Sequence, residues 1–404
     1  MLKKAKSGGL IFFSILYSWV SFAQSMKTPV QMPKEAVSGK AIVSEIQTTP
    51  FLATIELTDG PAFEPIMQSI TISHPKSIPI DTVPEITYSS NHHEDGAGAL
   101  HKTSEVATPV LNKSFYGATD SRYNPPDNSV AVSNAGLVLS VMNSNLRLYK
   151  TSGQVLTVRF FSDIFAEEFP SLTGKMFDPR VLYDPIADRF IMVLLHSNTY
   201  STSNVMVLFS KTNDPRDGWN MYALKGDVLN SSSWFDFPAI GISKNELYIT
   251  GNLFTNTNQF VQSVILQISK TDGYAAASNL RYRHWSNIYD ATGGKSFSLV
   301  PASYGISGSY GPGIYLVSNT IGGNSNFVTL YEITDDLTAQ DEKLNVYKVT
   351  NPFTYIPPRN SPQKGSTQLL NPLDNRIHGA FFIGNSIHYV YNTKGKTYNT
   401  IVYS

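Results

Sequence analysis

Three aspartates stand at matching places in this sequence. Asp127 opens Asp127-Asn-Ser-Val-Ala-Val132, Asp178 opens Asp178-Pro-Arg-Val-Leu-Tyr183, and Asp236 opens Asp236-Phe-Pro-Ala-Ile-Gly-Ile242. Each carboxyl group precedes a short apolar stretch, so any architecture that gathers those stretches gathers the acids too. Their chemistry leaves three uses open. Three carboxylates at one mouth would suit Ca²⁺, which wants several oxygen ligands. Two of them would suit acid/base work on a glycosidic bond. Aspartate at the start of a strand also caps turns, through side chain to backbone hydrogen bonds. Other chemistry-bearing residues show no comparable pattern. His196, His284, His378 and His388 lack ligand spacing, and His92-His93-Glu94-Asp95 with His101 lies in a polar stretch that matches no known metal site. Trp285, Tyr282, Tyr304 and Tyr310 could stack on sugar rings or simply fill a core. There is no glycine-rich phosphate loop, HExxH pattern or nucleophile elbow.

The elements that would position the acids repeat. A first unit runs through Asp127–Ser133, Leu137–Met142 and Leu146–Gly153, and a second through Asp178–Asp184, Arg189–Leu195 and Val205–Thr212. A third takes Asp236–Ile242, Glu246–Gly251 and Ser263–Gly273. A weaker fourth takes Phe297–Ala302, Gly313–Ser318 and Phe327–Ile333. A fifth takes Ile377–Phe381, Ser386–Tyr391 and Asn399–Ser404. The spacing is about fifty to seventy residues, the range of one four-stranded propeller blade with long loops. Radial packing buries both faces of such a sheet, and the unbroken apolar run Arg189–Leu195 reads as a strand covered on both sides. The expected fold is therefore all-β, a β-propeller of about five blades over residues 115–404. Only Asp163–Phe169 reads as a helix. The fifth unit ends in or just after its third strand. Either Phe115-Tyr-Gly-Ala118 completes that blade or the chain is incomplete, and the liability of an open edge favours the second.

The remaining chain sets the context. Lys3, Lys4 and Lys6 precede the apolar run Leu10–Val20, and Ser21-Phe22-Ala23 follows, which reads as a signal peptide over 1–23. The run is too short for a permanent span. Removing it takes three of the 31 bases and leaves the 31 acids in slight excess, so charge gives no reason to expect nucleic acid as a partner. The mature chain should carry no integral membrane segment. An exported chain without cysteine has no disulfides and depends on its core. Residues 24–114, rich in Pro, Ser and Thr, read as an extended or poorly ordered linker, with Ala41–Ile46 and Leu52–Leu57 able to form one small hairpin.

Asn124-Pro-Pro-Asp-Asn-Ser-Val-Ala-Val132, Phe177–Phe190, Asn213-Asp-Pro-Arg-Asp-Gly-Trp219 and Asp236–Ile242 resemble secreted bacterial β-propeller proteins, mostly without assigned activity. The resemblance covers roughly 114–404 and implies fold rather than chemistry. Asp178-Pro-Arg-Val181 is also similar to the Asp-Pro motif of five-bladed furanosidases of the invertase and arabinanase clan, and Trp234–Pro238 lies where their acid-bearing segment lies. Asn124–Asp127 departs from their nucleophile motif, and Phe235 and Asp236 stand where a Glu is expected. Asn213–Trp219 looks like a relaxed aspartate-box turn of sialidase-type propellers, a structural feature there. A sialidase would also need converging arginines, for which Arg180, Arg189, Arg281 and Arg283 are available. The first functional expectation is a secreted or cell-surface binding module for an extracellular polymer or protein, with Ca²⁺ at Asp127, Asp178 and Asp236. The alternative is a glycoside hydrolase or lyase acting on an extracellular polysaccharide through the same acids.

Overall fold

The computed structural model of the chain describes residues 36, 41–57, 114–117 and 125–404, apart from 144, 171, 173, 305–310, 364, 396–398 and 404. The leader 1–23, the His92–Asp95 cluster, His101 and Tyr310 lie outside the described residues. Two strands come first, β1 (Ile42–Val43) and β2 (Gln47–Ile55). The first blade follows as β3 (Ser129–Val132), β4 (Leu137–Met142), β5 (Asn145–Lys150) and β6 (Val155–Phe160). The helix α1 (Phe161–Glu168) follows it and buries Phe161, Ile164 and Phe165. The second blade is β7 (Met176–Asp184), β8 (Arg189–His196), β9 (Asn204–Ser210) and β10 (Trp219–Lys225). The third is β11 (Ser233–Ile242), β12 (Glu246–Thr255), β13 (Phe260–Ser269) and β14 (Asn279–Ser286), with the short helix α2 (Lys270–Tyr274) between its last two strands. The fourth comprises β15 (Val300–Pro301), β17 (Ile314–Asn319), β18 (Ser325–Ile333) and β19 (Leu344–Tyr355). The fifth is β20 (Ile377–Ile383), β21 (Ser386–Lys394) and β22 (Asn399–Tyr403), joined at its inner edge by β16 (Ser303–Tyr304), which runs parallel to β20.

Apart from the parallel β16 in the fifth, each blade is an antiparallel meander in chain order. Alternation along its strands decides where side chains go. In β8, Phe190, Met192 and Leu194 join an apolar cluster with Leu139 and Leu148 of the first blade. Ile191, Val193 and Leu195 point the other way, into a cluster with Leu247, Ile249 and Leu266 of the third. A third cluster joins Tyr248 and Trp285 to Leu316 and Tyr331, and a fourth joins Val317 and Leu330 to Ile377, Tyr389 and Tyr391. Four cores thus lie between five consecutive blades. The first strands of successive blades touch, β3 with β7, β7 with β11, β11 with β15 and β15 with β20, so they line a common axis. This is a β-propeller. Among the described residues no fifth cluster joins the fifth blade to the first, and Val130, Val132, Phe381 and Ile383 are exposed on those two blades.

The segment before the first blade does not fold on itself as a hairpin. β1 pairs with β14, and β2 is a strap across two outer edges: Gln47–Pro50 pair with β14, and Phe51–Ile55 pair with β10. Pro50 sits where the strand changes partners, a place where a missing N–H costs little. The strap removes two open strand edges that would otherwise offer pairing sites. Phe115-Tyr-Gly117 forms no strand and packs Phe115 on Tyr149, with ring centroids 5.5 Å apart. The aspartate-box-like turn is structural: Asp214 accepts from Arg216 N–H at 3.0 Å, and Trp219 is fully buried at the start of β10.

Candidate functional site

A repeated backbone kink delivers the acids. The β7–β8 register slips between Phe177 and Arg180, and the β11–β12 register slips between Asp236 and Ala239. Each slip contains a left-handed residue, Asp178 (φ 50°) and Phe237 (φ 54°). Asp127 (φ 38°) and Ser298 (φ 52°) take the same conformation two residues ahead of β3 and β15. Aspartate enters this region more readily than most side chains, whereas for phenylalanine it costs of order 1–3 kcal/mol. Such bulges re-aim side chains at sheet rims.

Asparagines lock these kinks from blade to blade. Asn143, Asn252 and Asn319 stand at equivalent places, late in or just past the second strand of their blades. Asn143 Oδ1 accepts from the Asp178 N–H at 2.7 Å. Asn252 Oδ1 accepts from the Ser298 N–H at 3.1 Å. Asn319 donates to the carbonyl of Asn375. The second blade has Leu195 there, opposite Phe177, and that junction is tied by Arg180 Nε donating to Pro238 O at 2.8 Å.

The three aspartates named by the sequence come together. Asp127, Asp178 and Asp236, from three successive blades, are half-buried, and the charge of Asp127 acts on both of the others. Burial first, then the charges of Asp236 and Asp127, push the Asp178 carboxyl up to about 7, with Arg180 opposing them. The carboxyls of Asp127 and Asp178 are close enough to share a hydrogen bond. Burial also raises Asp236, against a hydrogen bond from the Phe237 N–H and the charge of Arg376, with Asp127 adding to the rise. The Asp127 carboxylate does not cap its own turn: it accepts from Asn143 Nδ2 at 2.7 Å.

Arg376, just before β20, was not marked by the sequence. Its guanidinium lies 4.6 Å from the centre of the Phe237 ring and 5.2 Å from that of Phe297. It also makes a double hydrogen bond to Asp374, at 2.8 and 2.6 Å. Burial would raise Asp374, but this pairing holds its carboxyl below the usual range. Beyond Phe297 a row of aromatic neighbours crosses the third blade from its third strand to its first, Phe260, Phe254 and Trp234, and reaches Phe177 beside Asp178.

Other expected candidates lie elsewhere. Trp285 is a core residue whose Nε1 donates to Gln267 at 3.1 Å. Tyr282 lies on β14, opposite Gln47 of the strap. Arg281 pairs with Asp272, and Arg283 with Glu342. Arg189 pairs in register with Asp184. Of the four arginines available for a carboxylate grip, Arg180 acts on Asp178 and the other three are paired as described. His196 Nδ1 lies 3.1 Å from the Thr202 carbonyl, and the His388 ring stacks on Phe381. Among the described residues no group of three or more histidines and acids is arranged to hold a metal ion. Among the described residues no helix is long and apolar enough to cross a membrane.

No protein-family model and no curated protein matches the chain. Solved structures give weak likenesses. A subtype N11 neuraminidase-like protein of A/flat-faced bat/Peru (H18N11) is 11% identical with TM-score 0.37, over 69% of this chain and 70% of that one. The polysaccharide lyase Uly1 is 11% identical with TM-score 0.36, over 68% of this chain and 56% of its own length. The α-L-arabinanase of Cellvibrio cellulosa is 13% identical with TM-score 0.30, over 69% and 90%. The fold rests on the blade order and the four cores rather than on these.

Proposed function

We propose that the protein cleaves glycosidic bonds of a polysaccharide outside the cell, using Asp178 as the proton donor. The observation that carries this reading is the meeting of three partly open carboxyl groups from three blades, one of which keeps its proton to about pH 7. Glycoside cleavage asks for such an asymmetric pair, one acid protonated and one ionised, with environments that push their proton affinities apart. Asp178 protonates the leaving oxygen. Asp236, bonded to the Phe237 N–H and facing Arg376, supplies the second carboxylate. Asp127 holds the Asp178 proton in place between turnovers. The leader-like segment 1–23 supports delivery outside the cytoplasm.

The half-buried aromatic row favours a second reading, in which the same mouth binds a glycan without cutting it. One experiment separates the two. The full chain is incubated with a panel of neutral and acidic polysaccharides, and new reducing ends and unsaturated products are measured beside direct binding. Cleavage that falls at least about a hundredfold in Asp178→Asn supports the acid role. Binding with no product from any glycan removes it and leaves the binding module.

A further inference from the structure

Asn143 makes more contacts than a junction lock requires. It is 3% exposed. Its Oδ1 accepts from the Asp178 N–H at 2.7 Å. Its Nδ2 donates to Asp127 Oδ2 at 2.7 Å and to Pro125 O at 2.9 Å. Its main-chain N–H donates to Pro126 O at 2.7 Å. One amide therefore holds the main chain of one acid and the carboxylate of the other. The equivalent Asn252 stands opposite Asp236 in the sheet, but its side chain hydrogen-bonds to serines, Ser298 and Ser263, rather than to a carboxylate.

We propose that Asn143 is a positioning residue, which clamps the Asp127 carboxylate to the Asp178 kink and so holds the two acids in fixed register. The two carboxyls are near neighbours, and burial favours the proton on Asp178. A donor N–H on the neighbouring carboxyl acts in the same sense, because a hydrogen bond to the charged form favours it. Asn143 Nδ2 supplies that N–H to Asp127. The Oδ1 contact sets the distance between them, since it fixes the left-handed residue whose side chain is the donor. This inference rests on the acid role of Asp178 given above.

Asn143→Asp separates the two halves of the clamp. It keeps an oxygen for the Asp178 N–H and removes the donor to Asp127. The experiment reads two quantities on the full chain: the titration of side-chain carboxyls by carboxyl-carbon NMR, and glycan cleavage across pH. Asn143→Asp moves the carboxyl that titrates near neutrality, shifts the basic limb of the pH–rate profile by the same amount, and lowers kcat about a hundredfold while KM changes little, the usual cost of a small misplacement. Asn143→Leu keeps volume and loses both contacts, and it shows the same changes with lower stability. Asn252→Leu is the control: it loses stability and leaves the titration of Asp178 unmoved. Because Asn143→Asp also adds a charge, the neutral variant decides: if Asn143→Leu titrates as the wild type does, the clamp is only structural and the inference is overturned. If the wild-type protein cleaves no glycan while Asn143→Leu still moves that titration, the cleavage reading fails and the clamp stands.

Discussion

Asp178→Asn should remove a cost that grows in the wild-type protein as pH rises from about 4 to about 7. Asp178 titrates near 3.8 when unperturbed and at about 7 in the folded chain. A shift of about three units, at about 1.36 kcal/mol each, corresponds to about 4 kcal/mol. The sign follows from proton binding. Between these values the folded protein holds a proton that the unfolded chain has released, so stability is full below about pH 4 and falls as pH rises through about 7. Asparagine tolerates the left-handed conformation at φ 50° and donates toward Asp127 as the protonated acid does. Wild type and variant should therefore melt together near pH 4. Near pH 8 the variant should be more stable by up to about 4 kcal/mol, or roughly 10 °C in a domain of this size. Thermal melts followed by circular dichroism at several pH values measure the difference, in which titrating groups remote from Asp178 cancel. A difference that stays constant from pH 4 to pH 8 would refute the reasoning, because the cost of ionising Asp178 would then be absent.

Three further outcomes follow from the same structure. Lys270 and Asp184 form a buried ion pair at 2.7 Å, 4% and 1% exposed, so Lys270→Met should leave an uncompensated carboxylate and cost about 3–5 kcal/mol in urea unfolding. Burial pushes Glu246 up to about 7 at the seam where it accepts from the Leu337 N–H, so Glu246→Gln should flatten part of the wild-type loss of stability between about pH 5 and 7 in the same melts. Phe51 of the strap packs edge-on against Tyr222 at 5.5 Å, so Phe51→Ala should loosen β2 and show faster limited proteolysis within 41–57, with the blades intact.

The repeat was legible because a blade is a local object. Apolar strands such as Arg189–His196 and turns such as Gly384-Asn385, both left-handed between β20 and β21, are written in neighbouring residues. The convergence of Asp127, Asp178 and Asp236 followed from their equivalent places in the repeat. What escaped depends on distant partners. The outer strands β6, β10, β14 and β19 carry weaker patterns, because one edge faces solvent or the strap. The Lys270–Tyr274 stretch reads as a turn but forms α2, where the Ser269 side chain caps Asp272 N–H. Asn143 is one asparagine among many until its carboxamide is seen to bridge residues 16 and 35 positions away. Arg376 follows Asp374 and Asn375 in an ordinary loop, and only the folding of the fifth blade brings it to Phe237. A comparison of the second strands of the first, third and fourth blades would have flagged Asn143, Asn252 and Asn319 as a recurring type at one place.

If the three blade-end carboxyls act as one site that keeps a proton near neutral pH, a carboxyl-carbon NMR titration of the wild-type protein, Asp178→Asn and Asp127→Asn shows it without knowledge of the substrate. An aspartate signal should titrate near pH 7 in the wild type, be lost in Asp178→Asn and move to lower pH in Asp127→Asn, where a neighbouring negative charge is gone. Aspartates that all titrate below about pH 5, the ordinary range for exposed carboxyls, would contradict it.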